Sequence, residues 1–123
     1  MKKILLVEDD INLNHAYAMI LEKEKYEVKS TFNGEEALNT LKNFIPDLIL
    51  LDLIMPVKSG LEFLKEYSVI NTNPPRVLII TNLENSVEIA EALSLGGYKC
   101  VVKSQTTPQG LKKIVKTTLS NRG

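Results

Sequence analysis

With one cysteine, one histidine and no tryptophan in 123 residues, the chain is short of the side chains that staple secreted domains or hold soft metals. Cys100 has no partner for an internal disulfide, which fits a reducing cytoplasm. His15 has no second imidazole or thiol at ligand spacing, so it reads as a surface or satisfied polar residue. An excess of charge is also missing. Fifteen Lys and Arg offset 15 Asp and Glu, which argues against binding to nucleic acid or an anionic membrane through a generally cationic surface. No apolar run approaches the roughly 18 residues of a membrane-spanning helix. Lys2 and Lys3 ahead of Ile4 to Val7 start like a signal peptide, but the apolar run stops at Glu8. No Pro/Gly/Ser-rich linker, low-complexity segment or repeat of about 20–50 residues divides the chain. What is present, 44% hydrophobic and 24% charged residues, is the make-up of an ordinary globular protein and excludes a mostly disordered one. The length suffices for a core without staples. The sequence is read as one soluble cytoplasmic domain, residues 1–123.

A short aliphatic run followed by an amphipathic stretch recurs along the chain. Ile4 to Val7 precedes Leu13, Ala16, Tyr17, Ile20 and Leu21, whose offsets mark one face of a helix. Tyr26, Val28 and Ser30 alternate with Glu27, Lys29 and Thr31, as in a strand with one face less buried. Asn33-Gly34 gives a turn, and Glu35 and Glu36 suit the first turn of a helix carrying Ala37, Leu38 and Leu41. Pro46 precedes the run Leu48 to Leu51. Ser59 to Val69 then places Leu61, Leu64 and Ser68 along one helical face, with Phe63 and Tyr67 beside it. Pro74-Pro75 opens the run Val77 to Ile80, after which Val87, Ala90, Leu93 and Ser94 read as a helix ended by Gly96-Gly97. Tyr98 to Val102 is a fifth strand, and Leu111, Ile114, Val115, Thr118 and Leu119 line a final helix. Five such units with continuous aliphatic strands predict an α/β fold, a doubly wound five-stranded parallel sheet with helices on both faces. Right-handed crossovers favour the flavodoxin-like order 2-1-3-4-5, with the functional site at the carboxyl ends of the strands.

The polar residues at those ends carry the chemistry. Glu8, Asp9 and Asp10 follow the first run, Asp52 the third, Thr81 the fourth and Lys103 the fifth. Glu8 and Asp9 beside Asp52 form a pocket of three carboxylates whose repulsion is costly without a cation. Hard oxygen donors suit Mg²⁺ or Mn²⁺ rather than zinc. Asp52 is then a carboxylate able to attack phosphorus, Lys103 balances charge on phosphoryl oxygens, and Thr81 donates to one of them. Asp10, one residue ahead of the first helix, fits an N-cap instead.

These residues resemble those of a known family. Ile4-Leu5-Leu6-Val7-Glu8-Asp9-Asp10, the stretch Asp47 to Pro56 with Gly60, Ile80-Thr81 and Val101-Val102-Lys103 look like the receiver domain of two-component response regulators, over essentially the whole chain. The resemblance implies that Asp52 accepts a phosphoryl group from a histidine kinase or histidine phosphotransfer protein. It implies Mg²⁺ (or Mn²⁺) held by Asp9 and Asp52, by Glu8 through water and by the main-chain carbonyl of Ile54. Thr81 is then the switch residue and Lys103 pairs with the phosphoryl group. The active-state surface, and any homodimer, involves the fourth helix, fifth strand and fifth helix. No helix-turn-helix or DNA-reading patch is visible, so output falls to a downstream protein, a relay or an output domain outside this sequence.

Three positions depart from the family near the switch. Ser104 follows Lys103 where most receivers have a cis proline, and a trans bond is expected because a cis bond before a non-proline costs roughly 2.5–4 kcal/mol. Cys100 stands where many carry Tyr or Phe, so Thr–aromatic coupling cannot operate. It reads as a small half-buried residue. Tyr98 lies too far from the site end to replace that ring. Asn82 follows Thr81 where a small residue is usual, and capping of the next helix is preferred over narrowing of the path to the site. Ile54 and Leu83, both apolar, are expected to shield an acyl phosphate from water. Lys112, Lys113 and Lys116 on the last helix and Glu84, Glu88 and Glu91 on the fourth read as solvated faces, with a charged docking surface as the alternative.

Other functions fit less well. A phosphotransferase of the haloacid dehalogenase kind needs a second Asp two residues after the nucleophile, where Ile54 stands. A nucleotide or flavin binder needs a glycine- or hydroxyl-rich loop in place of the acidic Glu8-Asp9-Asp10-Ile11-Asn12. A degenerate receiver, binding proteins without phosphorylation, is the remaining alternative.

Overall fold

The computed structural model describes residues 1–70, 75–83 and 86–120. Five strands, β1 (Lys3–Val7), β2 (Glu27–Thr31), β3 (Leu48–Leu51), β4 (Arg76–Thr81) and β5 (Gly97–Val102), alternate with five helices. These are α1 (Ile11–Lys23), α2 (Gly34–Thr40), α3 (Gly60–Ile70), α4 (Val87–Ser94) and α5 (Pro108–Ser120). The strands form one sheet in the order β2-β1-β3-β4-β5, every pair parallel. This is the flavodoxin-like α/β fold expected from the strand–helix alternation.

Strand side chains point alternately to the two faces, and each face has its own core. Leu5, Val7, Ile49, Leu51, Val77 and Ile79 pack with Ala37, Phe63, Leu64, Tyr67 and Ala92 from α2, α3 and α4. Ile4, Leu6, Leu48, Leu50, Leu78 and Ile80 pack with Tyr17 and Leu21 of α1 and Leu111 and Val115 of α5. Burial on both sides explains why these strands read as unbroken aliphatic runs.

Helix starts are set by side-chain caps. Asp10 caps α1 at the Leu13 amide, as expected, and Asn33 caps α2 at Glu36. Ser59 and Glu62 bond each other's amides reciprocally at the start of α3.

Three expected faces differ from those observed. In α1 the buried polar residue is Asn14, while Ala16 is exposed. In α3 the buried stripe runs through Phe63, Leu64 and Tyr67, and Ser68 is exposed, its hydroxyl bonded back to the Lys65 carbonyl. In α4 the expected set Val87, Ala90, Leu93 and Ser94 is exposed, and the helix instead buries Ala92 with Ile89 and Leu95 packed beside it. The glycine pair after α4 divides its work: Gly96 adopts φ 115°, and Gly97 already belongs to β5. Pro74 and Glu84 lie outside the described residues.

Candidate functional site

Parallel strands deliver their carboxyl ends to one edge. Glu8 extends β1 by one residue, its amide bonded to the Thr31 carbonyl, and Asp52 extends β3, its amide bonded to the Val7 carbonyl. The ladder therefore runs past both strands and fixes the backbone of both acids. Glu8 is 0% exposed and Asp52 3%, whereas Asp9 faces solvent more openly. One carboxylate oxygen from each of Glu8, Asp9 and Asp52 lies within 4.8 Å of the others.

Lys103 enters from the end of β5. Its Nζ stands 2.8 Å from Asp52 Oδ2 and 2.7 Å from Glu8 Oε1. Thr81, 1% exposed at the end of β4, accepts at Oγ1 from the Leu83 amide at 3.4 Å. The Ile54 amide points back to Asp52 Oδ1 at 3.4 Å.

The loop after Asp52 is tightly drawn. Gly60 donates to the Leu53 carbonyl, and a Cβ on it would lie 2.1 Å from the Asp52 carbonyl oxygen. Only glycine permits that approach.

Three carboxylates against one ammonium leave the cluster short of positive charge. Burial pushes Glu8 above the usual carboxylate range, and the opposing pull of Lys103 is insufficient to cancel it. Burial also opposes the charge on Lys103, but Asp52 and Glu8 together outweigh it and hold the ammonium above its ordinary value. Glu8 Oε2 accepts from the Asp10 amide at 3.0 Å. Its Oε1, fully buried, has the ionic contact with Lys103 but no hydrogen bond of acceptable geometry. An all-oxygen donor set with a net negative charge and an incompletely satisfied buried oxygen fits a hard divalent cation.

The departures near the switch resolve in part. The bond joining Lys103 to Ser104 is trans, as expected, and the ammonium still reaches Asp52. Asn82 does not cap α4, a correction to the expected role. Ser86 caps that helix at the Ile89 amide, because it is the residue directly ahead of the first turn. Asn82 Oδ1 instead accepts from the Ser104 amide at 2.9 Å.

Cys100 is half-buried against the α2–α4 side, where burial raises its thiol pKa. Tyr98 lies over the Arg76 guanidinium, 4.4 Å to the ring centroid, at the far end of β4 from Thr81. Ile54 is 57% exposed at the loop, and Leu83 packs on the core beneath. His15 meets Phe32 edge-on at 6.4 Å. Glu91 pairs with Lys65 at 3.3 Å.

One positioning residue escaped the sequence reading. Asn14 is fully buried, and its Nδ2 donates to the Glu8 and Thr31 carbonyls, both at 2.9 Å. The signal available was a polar residue three positions ahead of Tyr17 on the buried face of α1. Among the described residues, no helix is long and apolar enough to cross a membrane.

Comparison with known proteins agrees with this geometry. The family model described as response regulator receiver domain matches residues 4–116. A CpxR homolog, a transcriptional regulatory protein of Haemophilus influenzae, is 38% identical over 84% of this chain and 44% of its own length. The transcriptional regulatory protein CiaR of Streptococcus pneumoniae is 40% identical over 84% of this chain and 45% of its own. The chain thus spans less than half the length of these two relatives. Among solved structures, a CheY-like receiver domain protein from Methanospirillum hungatei superposes with a TM-score of 0.90 at 26% identity, covering 98% of this chain and 94% of that one. TrrA of Thermotoga maritima, solved in complex with Mg²⁺–BeF, gives 0.82 at 32% identity, covering 96% of this chain and 99% of that one. Sheet order, acidic edge and family match converge, and the chain belongs to the receiver domains of two-component response regulators, a regulatory family and not one of metabolic enzymes.

Proposed function

We propose that residues 1–123 act as a phosphorylation-dependent switch in which Asp52 accepts a phosphoryl group from a histidine kinase or histidine phosphotransfer protein. The observation that supports this most directly is the meeting of Glu8, Asp9 and Asp52 with Lys103 Nζ at 2.8 Å from Asp52. Glu8, Asp9, Asp52 and the Ile54 main-chain carbonyl would hold Mg²⁺ (or Mn²⁺), which when bound supplies positive charge to the transferring phosphoryl oxygens.

An Asp52 carboxylate oxygen attacks phosphorus in line. The bond from phosphorus to the donor's imidazole nitrogen breaks, its electron pair stays on the imidazole, and an acyl phosphate forms. Lys103 keeps its proton throughout, because neighbouring carboxylates hold it as ammonium, and it transfers its attraction from Asp52 to a phosphoryl oxygen. Thr81 gives up its long contact with the Leu83 amide and donates its hydroxyl to the same group. These two movements start at the ends of β4 and β5, so they bias the surface made by α4, β5 and α5. That surface would serve a downstream partner, a homodimer or an output domain, in the cytoplasm.

Incubation with Mg²⁺ and acetyl phosphate, followed by intact mass, tests the reading. One added phosphoryl group is expected, absent in Asp52→Asn and absent with a chelator. An unchanged mass under conditions that label an ordinary receiver would favour a phosphorylation-independent binding module.

A further inference from the structure

Thr81 and Lys103 reach the site from neighbouring strands, and the residues directly after them are joined. Asn82 Oδ1 accepts a hydrogen bond from the Ser104 amide at 2.9 Å, between positions 22 residues apart. Apart from the contacts of the Lys103 ammonium, the other bonds of this turn among the described residues are local. The Thr106 amide donates to the Lys103 carbonyl at 3.1 Å, and Thr106 Oγ1 donates to the Val102 carbonyl at 2.7 Å. Those bonds shape the turn itself, and the β4–β5 ladder places its start by pairing Thr81 with Val102. Asn82, directly after β4, adds a tie one residue past Lys103, where the ladder has ended.

What depends on it is the Lys103 ammonium, carried on a flexible four-carbon stem and placed 2.8 Å from Asp52 and 2.7 Å from Glu8. A charged group is held in productive geometry only when its backbone is fixed to within about half an ångström.

We propose that Asn82 is a positioning residue: bonded to the Ser104 amide, its side-chain carbonyl sets the Lys103 turn against β4 and keeps the ammonium on the acceptor carboxylate during phosphoryl transfer. The proposal rests on the phosphoacceptor reading of Asp52. A competing role exists on the same side chain, since exposed Asn82 borders, with Lys103 and Ser104, an open groove between α1 and the start of α5. There it could act as an obstruction.

Three substitutions separate the two roles. Asn82→Asp keeps an oxygen acceptor, Asn82→Leu keeps the bulk without one, and Asn82→Ala removes both. With acetyl phosphate and saturating Mg²⁺, the rate of mass gain is expected to fall about fivefold in Asn82→Ala and Asn82→Leu, the size of one neutral hydrogen bond. Asn82→Asp should remain within about twofold of the parent. In a Lys103→Ala background, adding Asn82→Ala should change nothing further, because the group being positioned is gone. Unchanged or faster uptake in Asn82→Ala overturns the proposal, as does a loss that persists undiminished without the lysine.

Amide exchange at Ser104, read by ¹⁵N NMR, needs no phosphorylation. Exchange should quicken in Asn82→Ala and Asn82→Leu but not in Asn82→Asp. A parent protein that takes up no phosphate defeats the phosphoacceptor reading, whereas unaltered Ser104 exchange in Asn82→Ala defeats this one.

Discussion

Glu8 is an acid of the site whose hold on its proton the fold strengthens. It is fully buried among like charges, and burial raises its pKa despite the contact with Lys103. An acid whose folded pKa exceeds its unfolded value binds its proton more readily in the fold. The stabilisation this brings is complete below the unfolded pKa and is lost as pH rises through the folded one. In metal-free protein, urea midpoints should therefore decline as pH climbs out of the ordinary carboxylate range, and Glu8→Gln should flatten that slope. The same substitution should weaken Mg²⁺ about tenfold or more by removing a negative charge that holds the cation through water, measured by calorimetric titration. A metal-free slope that survives in Glu8→Gln would assign it to another group. At this scale the acids, Thr81 and Lys103 were legible because each ends an aliphatic run. Asn82 was not: a polar residue ahead of a helix looks like a cap, and its actual partner is the Ser104 amide in the turn after β5, 22 residues away.

Elements were legible where burial dictates composition. β1, β3 and β4 are buried on both sides and read as aliphatic runs, and the Asn33 and Asp10 caps sit where short polar side chains meet orphan amides. Helix ends were less visible. α1 closes with the Tyr26 amide bonded to the Leu21 carbonyl and the Lys25 amide to Glu22, with Lys25 at φ 71°. That is the pattern usually built with glycine at the left-handed position, and no glycine marks it here. Lys25→Gly should raise stability by about 0.5–1 kcal/mol, the left-handed penalty relieved less the added freedom of the unfolded chain, seen as a higher urea midpoint with unchanged slope.

Gly60 presents the opposite case. A methyl group there collides with the Asp52 carbonyl at 2.1 Å, so the start of α3 or the end of β3 has to move. Gly60→Ala should cost about 2–3 kcal/mol of stability. It should also slow phosphoryl acceptance by about a hundredfold, since a misplacement of about 1 Å at the reacting group is enough to do so. Parallel unfolding and mass measurements on the same sample separate the two effects.

For the molecule as a whole, the strand order converts local sequence into one charged edge: β1 and β3 are neighbours, so Glu8 and Asp52 meet although 44 residues apart in sequence. The sheet interior supplies the stability that this repulsion opposes, and a bound cation removes the opposition. Mg²⁺ at a hundred times its dissociation constant should therefore stabilise the fold by about 2.7 kcal/mol. For a chain of this length that corresponds to a rise of roughly 10 °C in Tm by differential scanning calorimetry. Asp52→Asn should abolish most of the rise. Because Glu8 takes up its proton at a higher pH than an ordinary glutamate, the same Mg²⁺ concentration should stabilise progressively less as pH is lowered through that range. A Tm that rises equally in the parent and in Asp52→Asn would place the cation elsewhere on the surface.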